Sequence, residues 1–144
     1  MDSEKEISKL ESMRHSASHV LAQAVLKLYP DTKLGIGPAI ENGFYYDFDF
    51  SEPITNEDLP KIEKEMKKII KQGLPFTKIM MSREDAEQYL KKTGQIYKLE
   101  LLNDLEGKEF SFYITGDNEF ADLCRGPHVE NTKELGHFKI QKEE

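Results

Sequence analysis

The stretch Arg14-His15-Ser16-Ala17-Ser18-His19 lies on the segment around which the chain is organised. Ser3-x-x-Glu6 resembles a capping box and favours a helix beginning near Glu4, with Ser12 as a second start. The helix should end before Pro30, because the residue ahead of a proline avoids helical geometry. At 100° per residue, the segment is apolar on most sides, which is typical of a central helix rather than a surface helix. The wide apolar arc contains Ala17, Leu21, Ala24, Val25 and Leu28; the narrower arc contains His15, His19, Ala22 and Leu26; and the polar stripe contains Ser16, Gln23 and Lys27.

Alternation after this helix predicts a half-buried strand over Phe44–Phe50, preceded by the hairpin signal Asn42-Gly43. Capping residues, glycine stops and further alternation predict the later elements. They are a helix from Thr55 or Asn56 to about Gln72 with Gly73 as its stop, a strand over Phe76–Met81, a helix from Ser82 to Thr93-Gly94, and strands over Ile96–Leu102, Phe110–Thr115 and Gly136–Ile140. The expected fold is α+β, an antiparallel sheet packed with helices, whose central helix carries the His-x-x-x-His pair.

Composition limits the kind of protein. The chain has 144 residues, enough for one domain with a real core, and its net charge of −7 argues against a dedicated nucleic-acid binder. A single cysteine leaves no internal disulfide, which suits a reducing cytoplasm. The charged N-terminus has no apolar signal core, and no apolar run reaches the length of a membrane span.

The two histidines lie one helical turn apart, so both imidazoles can point at one spot. This spacing suits a metal site, a paired acid/base site or a satisfied structural pair. A zinc peptidase would carry glutamate directly after the first histidine, and Ser16 stands there instead, so the peptidase interpretation fails.

The second cluster is Asp122-Leu123-Cys124-Arg125-Gly126-Pro127-His128, in which Gly126-Pro127 breaks any helix. A lone cysteine is most often simply buried, but here a histidine and an aspartate stand beside it. His15, His19, Cys124 and His128 together match the ligand types and number of a tetrahedral zinc site. The same groups also suit metal-free ester hydrolysis, with histidines as bases or hydrogen-bond partners. Spacing leaves both alternatives open.

Lysines offer two weaker signals. Lys98 stands within the apolar strand predicted over Ile96–Leu102, either as a solvent-facing side chain or, if it faces His15, as a group that positions water or stabilises negative charge. A stripe of lysines on the helix before Gly73 is typical of a solvated face, with a weak RNA-backbone contact as the alternative. The stripe consists of Lys61, Lys64, Lys68 and Lys71.

Six motifs occur in a fixed order, and their joint occurrence is far more specific than any one of them. They are Arg14-His15-Ser16-x-x-His19, Gly35-Ile36-Gly37-Pro38, Asn42-Gly43-Phe44-Tyr45-Tyr46-Asp47, Tyr97-Lys98, Asp122-Leu123-Cys124-Arg125-Gly126-Pro127-His128 and Gly136-His137-Phe138-Lys139. From about Met13 to Ile140 the chain resembles the editing domain, or second additional domain, of bacterial threonyl-tRNA synthetase. That domain is related to those of alanyl-tRNA synthetase and its free-standing relatives.

The resemblance implies hydrolysis of seryl-tRNA(Thr), the product made when serine is mistaken for threonine. A second pocket then admits the smaller side chain and excludes the larger one. Residues matching His15, His19, Cys124 and His128 line the pocket, Lys98 acts near the ester, and Asp122 lies close by. Gly37 and Tyr46 match pocket-wall positions that recognise the seryl group. The resemblance implies no required cofactor, while zinc held by the two-His, Cys, His set stays an alternative, as in alanyl-type domains.

The resemblance also implies one editing domain over residues 1–144, without the small N-terminal domain, catalytic core and anticodon-binding domain of the synthetase. We therefore expect either an excised domain or a free-standing editor, with mischarged tRNA(Thr) as its partner and weak tRNA binding on its own. Two other interpretations stay open. One is a zinc-binding module that docks RNA or a protein without catalysis, and the other is an alanyl-type domain that clears seryl- or glycyl-tRNA(Ala).

Overall fold

The computed structural model describes residues 2–35, 39–40, 43–44, 46–50, 54–116, 120–124 and 128–135. Side chains are described from residue 10 onward, except at 39–40 and 43–44. Four α-helices lie in these ranges: α1 (Asp2–Leu28), α2 (Asp58–Gln72), α3 (Arg83–Lys92) and α4 (Ile96–Asp104), followed by a short 3₁₀ helix (Thr132–Glu134). Among them, no helix is long and apolar enough to cross a membrane.

In the described ranges, seven strands pair in three antiparallel sheets. The strands are β1 (Lys33–Leu34), β2 (Ala39–Ile40), β3 (Gly43–Phe44), β4 (Phe48–Asp49), β5 (Phe76–Ser82), β6 (Glu109–Thr115) and β7 (Phe120–Leu123). Strand β1 pairs with β4, β2 pairs with β3, and the largest sheet has the order β5-β6-β7. This antiparallel α+β arrangement confirms the fold class predicted from the sequence.

The three-stranded sheet separates two apolar layers, because successive residues of a strand point to opposite faces. Helices α1 and α2 pack on one face, where Phe76 and Phe120 join the core cluster around Val20, Val25 and Met66. Helices α3 and α4 pack on the other face. Their cluster contains Ala86, Leu90, Leu102, Phe110 and Phe112, with Ile79 and Met81 of β5 against it.

Several predicted boundaries are confirmed by their capping contacts. Ser82 precedes α3, and its hydroxyl accepts a hydrogen bond from the Asp85 backbone N–H at 3.1 Å. Gly73 ends α2 in the left-handed conformation with φ of 69°, which a glycine adopts without steric cost. Strands β5 and β6 cover the predicted spans Phe76–Met81 and Phe110–Thr115.

The strand predicted over Ile96–Leu102 is wrong, because this segment is helix α4. Its first residues, Ile96 and Tyr97, are exposed, whereas Lys98 and Leu102, one helical turn apart, are buried. Leu102 packs in the cluster under β6 with Leu99 beside it. Packing of this face outweighs the strand preference of Ile96 and Tyr97 and the local alternation of apolar and polar residues.

The strand predicted over Phe44–Phe50 is broken in two. Strand β3 pairs with β2 and strand β4 pairs with β1, while Tyr46 and Asp47 lie between them outside either ladder. The predicted alternation persists from residue 46 to 50, where Tyr46 is buried and Asp47 and Asp49 are exposed.

Helix α2 also begins differently from the prediction. Neither Thr55 nor Asn56 caps it; the helix starts at Asp58, whose side chain accepts a hydrogen bond from the Thr55 backbone N–H at 2.7 Å. The strand predicted over Gly136–Ile140 lies outside the described residues.

Candidate active site

Helix α1 and the segment after β7 bring four side chains together. His15 and His19 come from one turn of α1, and Cys124 and His128 from the segment that follows β7. One ligand-type atom from each of the four lies within 4.8 Å of the others. The two clusters, more than a hundred residues apart in sequence, therefore form one site.

The Cys124 sulfur lies at the middle of this cluster. Its Sγ is 3.2 Å from Nε2 of His15 and 3.3 Å from Nε2 of His128. The imidazoles also contact one another: His15 stacks on His128 with ring centroids 4.3 Å apart, and His19 meets His128 edge-on at the same distance. The thiol is thus in contact with the imidazoles of His15 and His128, and the third imidazole, that of His19, contacts His128.

Ser16, which the sequence placed on a polar stripe, is fully buried and fixes His128. Its hydroxyl oxygen lies 2.9 Å from Nδ1 of His128 and accepts a hydrogen bond from the Val129 backbone N–H at 2.9 Å. The ring of His128 also stacks on Phe76 and meets Tyr113 edge-on, with centroids 5.1 Å and 4.4 Å away. These contacts hold the imidazole on the sheet with Nε2 toward Cys124.

A buried ion pair lies against the cluster. Lys98 Nζ from α4 is 3.1 Å from Oδ1 of Asp122 on β7, and both side chains are almost fully buried. The hydroxyl of Tyr46 donates a hydrogen bond to Oδ2 of Asp122 at 2.6 Å. His19 Nε2 is 3.6 Å from that same carboxylate oxygen. Asp122 therefore connects the lysine, the tyrosine and the histidine cluster.

Burial sets the protonation of the two inner histidines. Desolvation, followed by the nearby His15 and Lys98, lowers the pKa of His19 well below its ordinary value. Desolvation, reinforced by His19 and His15, lowers the pKa of His128 to about 2, although Asp122 opposes the shift. Both imidazoles are therefore neutral at pH 7. Burial, Asp122 charge and the hydrogen bond raise the pKa of Tyr46 well above its ordinary value, so its hydroxyl keeps the donated proton.

The four side chains fit a zinc ion. Tetrahedral zinc with His and Cys ligands at ordinary bond lengths separates its ligand atoms by about 3.3–3.8 Å. The two printed sulfur–nitrogen distances, 3.2 and 3.3 Å, are close to this range. Nδ1 of His19 is buried without a hydrogen-bond partner among the described residues, so its ring has ligand capacity to spare. A bound zinc would act as a Lewis acid or lower the pKa of a bound water.

The structure brings together seven of the eight residues predicted for the site. Gly37 lies outside the described residues. The prediction placed Lys98 on a strand, whereas it reaches Asp122 from the buried face of helix α4.

Two supporting residues were missed. One is Ser16, whose position between two paired histidines was the available signal. The other is Gln95, whose side chain accepts from the Leu34 backbone N–H and joins β1 to the start of α4. No sequence signal pointed to Gln95, because its contact spans sixty-one residues.

Two comparisons with known proteins bear on this site. A family model described as the threonyl and alanyl tRNA synthetase second additional domain matches residues 110–144, which include Asp122, Cys124 and His128. The C-terminal part of the chain therefore has the sequence features of a synthetase accessory domain.

Whole-chain relatives make the family more specific. The chain is 53% identical to the threonine--tRNA ligase of Acetivibrio thermocellus over 131 residues, which are 90% of this chain and 20% of that protein. It is 51% identical to that of a Dehalococcoides mccartyi strain over 140 residues, 97% of this chain and 23% of the relative. The threonine--tRNA ligase of Clostridium novyi is 55% identical over 131 residues, which are 90% of this chain and 20% of that protein. Over most of its length the chain is therefore similar to one region of threonine--tRNA ligases, and it spans about a fifth of the length of the curated relatives it matches.

Proposed function

We propose that this chain hydrolyses mischarged seryl-tRNA(Thr), as an aminoacyl-tRNA deacylase that proofreads threonyl-tRNA synthesis. The observation that carries the proposal is the convergence of His15, His19, Cys124 and His128 beside the buried Lys98–Asp122 pair. The similarity to threonine--tRNA ligases supports tRNA(Thr) as the RNA, and serine as the amino acid follows from the resemblance of the sequence motifs to the editing domain.

Neutral imidazoles suit the binding of substrate and water in ester hydrolysis better than they suit proton transfer. An imidazole whose pKa lies far below 7 accepts hydrogen bonds but holds a proton poorly, so it is a weak store for the proton released from water. In this proposal His19 and His128 orient water and the hydroxyl groups of the substrate. The ester carbonyl lies beside His15 and Cys124, at the more exposed side of the cluster.

The Lys98 ammonium supplies positive charge where the attacked carbonyl becomes an oxyanion. Asp122 keeps this charge in a fixed place, and Tyr46 holds the second carboxylate oxygen so that it stays directed inward. Removing Tyr46 should therefore loosen the position of Lys98 as well as open the pocket wall.

Discrimination against threonine requires a pocket that rejects one extra methyl group. A well-packed pocket wall weakens transition-state binding of the larger substrate by about 1–3 kcal/mol per methylene-sized group, which lowers its relative rate about 10–200-fold. Tyr46, buried and stacked on Phe48, is the described wall residue, and Gly37 is proposed for the opposite wall from the family resemblance.

Deacylation assays with the purified chain test the proposal. We expect hydrolysis of seryl-tRNA(Thr) to exceed that of threonyl-tRNA(Thr), with His15→Ala and His128→Ala lowering the rate by about 100-fold or more. Lys68→Ala is the matched control, because Lys68 is exposed on α2. Full activity in both histidine variants would refute the site, and equal rates on the two substrates would refute the sieve.

The substrate tRNA separates this proposal from the alanyl-type alternative. Seryl-tRNA(Thr) and seryl-tRNA(Ala) carry the same ester, so only the RNA differs between the two assays. A preference for seryl-tRNA(Ala) would assign the domain to alanyl-type editing. The remaining synthetase domains are expected to supply most of the tRNA contacts in the cytoplasm, so rates measured on this chain alone should rise with RNA concentration well into the micromolar range.

The ligand geometry favours a second candidate, a zinc-dependent module. His15, His19, Cys124 and His128 would hold the ion, which would then contribute folding energy directly. Metal analysis of the purified chain, followed by urea unfolding with and without chelator, decides between the two. Stoichiometric zinc whose removal unfolds the chain supports the module, and deacylation unaffected by chelator excludes a metal-dependent reaction.

A further inference from the structure

Gln95 stands at the start of α4, yet its side chain makes no capping hydrogen bond. Its backbone N–H donates to the Leu90 carbonyl near the end of α3, and its carbonyl accepts from the Leu99 N–H in α4. The side chain is buried instead against β1. Its Oε1 accepts a hydrogen bond from the Leu34 backbone N–H at 2.7 Å, and its Nε2 donates to the Thr32 carbonyl at 3.4 Å. One residue therefore connects α3, α4 and β1.

Strand β1 links this contact to the pocket wall. Leu34 pairs with Phe48 in the β1–β4 ladder, and the Gly35 backbone N–H donates to the Asp47 carbonyl at 2.8 Å. A Cβ at Gly35 would lie 2.8 Å from Cβ of Asp47, so the two backbones approach closely there. Tyr46 is the next residue along the chain. The backbone of this wall residue is therefore held by β1, and β1 is held by α4.

The two ends of this connection meet at Asp122. Lys98 lies three residues after Gln95 on α4, and its Nζ is 3.1 Å from Oδ1 of Asp122. The Tyr46 hydroxyl donates to Oδ2 of the same carboxylate at 2.6 Å. The Lys98 ammonium also lies over the Tyr46 ring, 5.3 Å from its centroid. The contacts thus form a closed ring that leaves α4 at Gln95, passes through β1 and Tyr46, and returns to α4 at Lys98.

A second contact joins the same elements at the surface. The Tyr97 hydroxyl donates to Oδ2 of Asp49 at 2.6 Å, which connects α4 with β4, but both side chains are exposed. Water replaces an exposed hydrogen bond at little cost, whereas a buried N–H that loses its acceptor stays without a partner. Leu34 is only 2% exposed, so its N–H depends on Gln95. The buried contact therefore determines how closely β1 and β4 pack on α4.

We propose that Gln95 is a positioning residue that sets the width of the pocket between Tyr46 and Lys98, and with it the discrimination between seryl and threonyl esters. It acts through β1 on Tyr46 and through α4 on Lys98, without touching the ester itself. The proposal rests on the proposed function, in which Tyr46 is the wall that rejects the extra methyl group. When the Gln95 contacts are lost, β1 is no longer held on α4, so the wall moves outward and the threonyl ester fits.

The relative hydrolysis of the two esters separates this role from a general loss of stability. A partly unfolded variant has fewer active molecules, which lowers the rates on seryl-tRNA(Thr) and threonyl-tRNA(Thr) by the same factor. Gln95→Met keeps the size of the side chain and removes both hydrogen bonds. We expect it to lower the ratio of kcat/KM for the seryl over the threonyl substrate by about fivefold or more, because the pocket gains room for the methyl group.

The conservative variant should restore the discrimination. Gln95→Glu keeps the oxygen that accepts from Leu34 and loses the longer bond to Thr32. The Lys33 ammonium lies beside the turn before α4, where it can neutralise the new carboxylate. We expect the ratio of kcat/KM in Gln95→Glu to stay within about twofold of the parent value, because the buried Leu34 N–H keeps its acceptor.

Two more variants complete the comparison. Gln95→Asn withdraws the amide by one methylene group and should lower the ratio of kcat/KM by about threefold or more, so it carries the test if Gln95→Met does not fold. Tyr97→Phe is the matched control, because it removes a hydrogen bond between the same elements at the surface. Its ratio of kcat/KM should equal that of the parent.

An NMR measurement reports the same distance without hydrolysis. The ε-methylene group of Lys98 adjoins the ammonium over the Tyr46 ring, so the ring current of Tyr46 shifts its resonance. In Gln95→Met this resonance should move toward its position in Tyr46→Leu, which has no ring. In Tyr97→Phe it should stay at the parent position.

Two outcomes overturn the proposal: a parental ratio of kcat/KM in the folded Gln95→Met or Gln95→Asn variant, and an equal fall of the ratio in Tyr97→Phe. Either result in an active parent leaves the proposed function standing. A parent chain that does not hydrolyse seryl-tRNA(Thr) would refute the proposed function itself. The Lys98 resonance then decides the positioning role alone, since a shift in Gln95→Met supports it and an unmoved resonance refutes it.

Discussion

Replacing Lys98 by methionine tests whether the Lys98–Asp122 pair is the buried centre of the site. Methionine keeps the length of the side chain and removes its charge, so Asp122 is left as a buried carboxylate to which, among the described residues, Tyr46 donates directly. Breaking a buried pair at one partner costs about 3–5 kcal/mol, against a total stability of about 5–15 kcal/mol for a domain of this size. We expect Lys98→Met to lower the free energy of unfolding by about 3 kcal/mol or more, measured by urea unfolding at pH 7 with chelator present.

A double-mutant cycle isolates the interaction between the two charges. Lys98→Met combined with Asp122→Asn keeps an acceptor for Tyr46 and leaves no unpaired charge, so the double variant should be more stable than Lys98→Met alone by about 1–2 kcal/mol. Lys67→Met is the control, because its pair with Glu63 is exposed and 3.7 Å long and should contribute less than about 1 kcal/mol. Equal small losses in Lys98→Met and Lys67→Met, or additive effects in the cycle, would refute the buried pair.

Three further predictions concern stability and are read from urea unfolding. With chelator present, stability should be constant above about pH 6.5 and fall below it by about 1.4 kcal/mol per pH unit for each of His19 and His128, because the lowered pKa values make the unfolded chain bind more protons there; a flat profile from pH 7.5 to 5 would contradict it. Gly73→Ala should cost about 1–2 kcal/mol, because φ is 69° and the new Cβ would lie 2.8 Å from Cε of Lys133; an unchanged urea midpoint would show that the cap is not left-handed. Phe112→Ala should cost about 3–5 kcal/mol, since the ring is fully buried under α3 and α4, and a loss under 1 kcal/mol would place it at the surface.

Elements with local signals were predictable from the sequence. Ser82 and Gly73 mark helix ends through contacts within a few residues. In β6, successive side chains alternate between the two faces of the sheet, and Phe110 and Phe112 lie on the face that packs on α3 and α4. The clustering of His15, His19, Cys124 and His128 was also expected, because few residue types share this chemistry and the ordered motifs resemble one family. The chemical nature of the candidate site was therefore accessible before its geometry.

Helix α4 was not predictable by the same means. Its start carries no side-chain cap, Ile96 and Tyr97 are residue types enriched in strands, and Tyr97, Leu99 and Leu101 alternate with more polar residues as in a strand. What makes it a helix is the docking of Leu102 and Leu99 under β6 and the bond from Gln95 to β1. The Gln95–Leu34 bond joins residues sixty-one apart, and the contacts with β6 depend on how the sheet folds over α4, so local periodicity contains neither. The bond from the Thr55 backbone N–H to the Asp58 side chain was missed for a smaller reason, since it links the first helical residue backward to the preceding turn.

The error over α4 matters for function because it changes what Lys98 does. On the predicted strand, Lys98 would face solvent or the cluster according to register alone. On α4 it shares the buried face of the helix with Leu102, which packs with Phe112 under the opposite face of the sheet. Its ammonium meets Asp122, which shares the site face with Tyr113. This is feasible because β7 is an edge strand of the described sheet, so a long side chain from the α3 and α4 layer can pass around it. In the proposed reaction, the position of the Lys98 charge therefore depends on the packing of α4 as well as on the contact with Asp122.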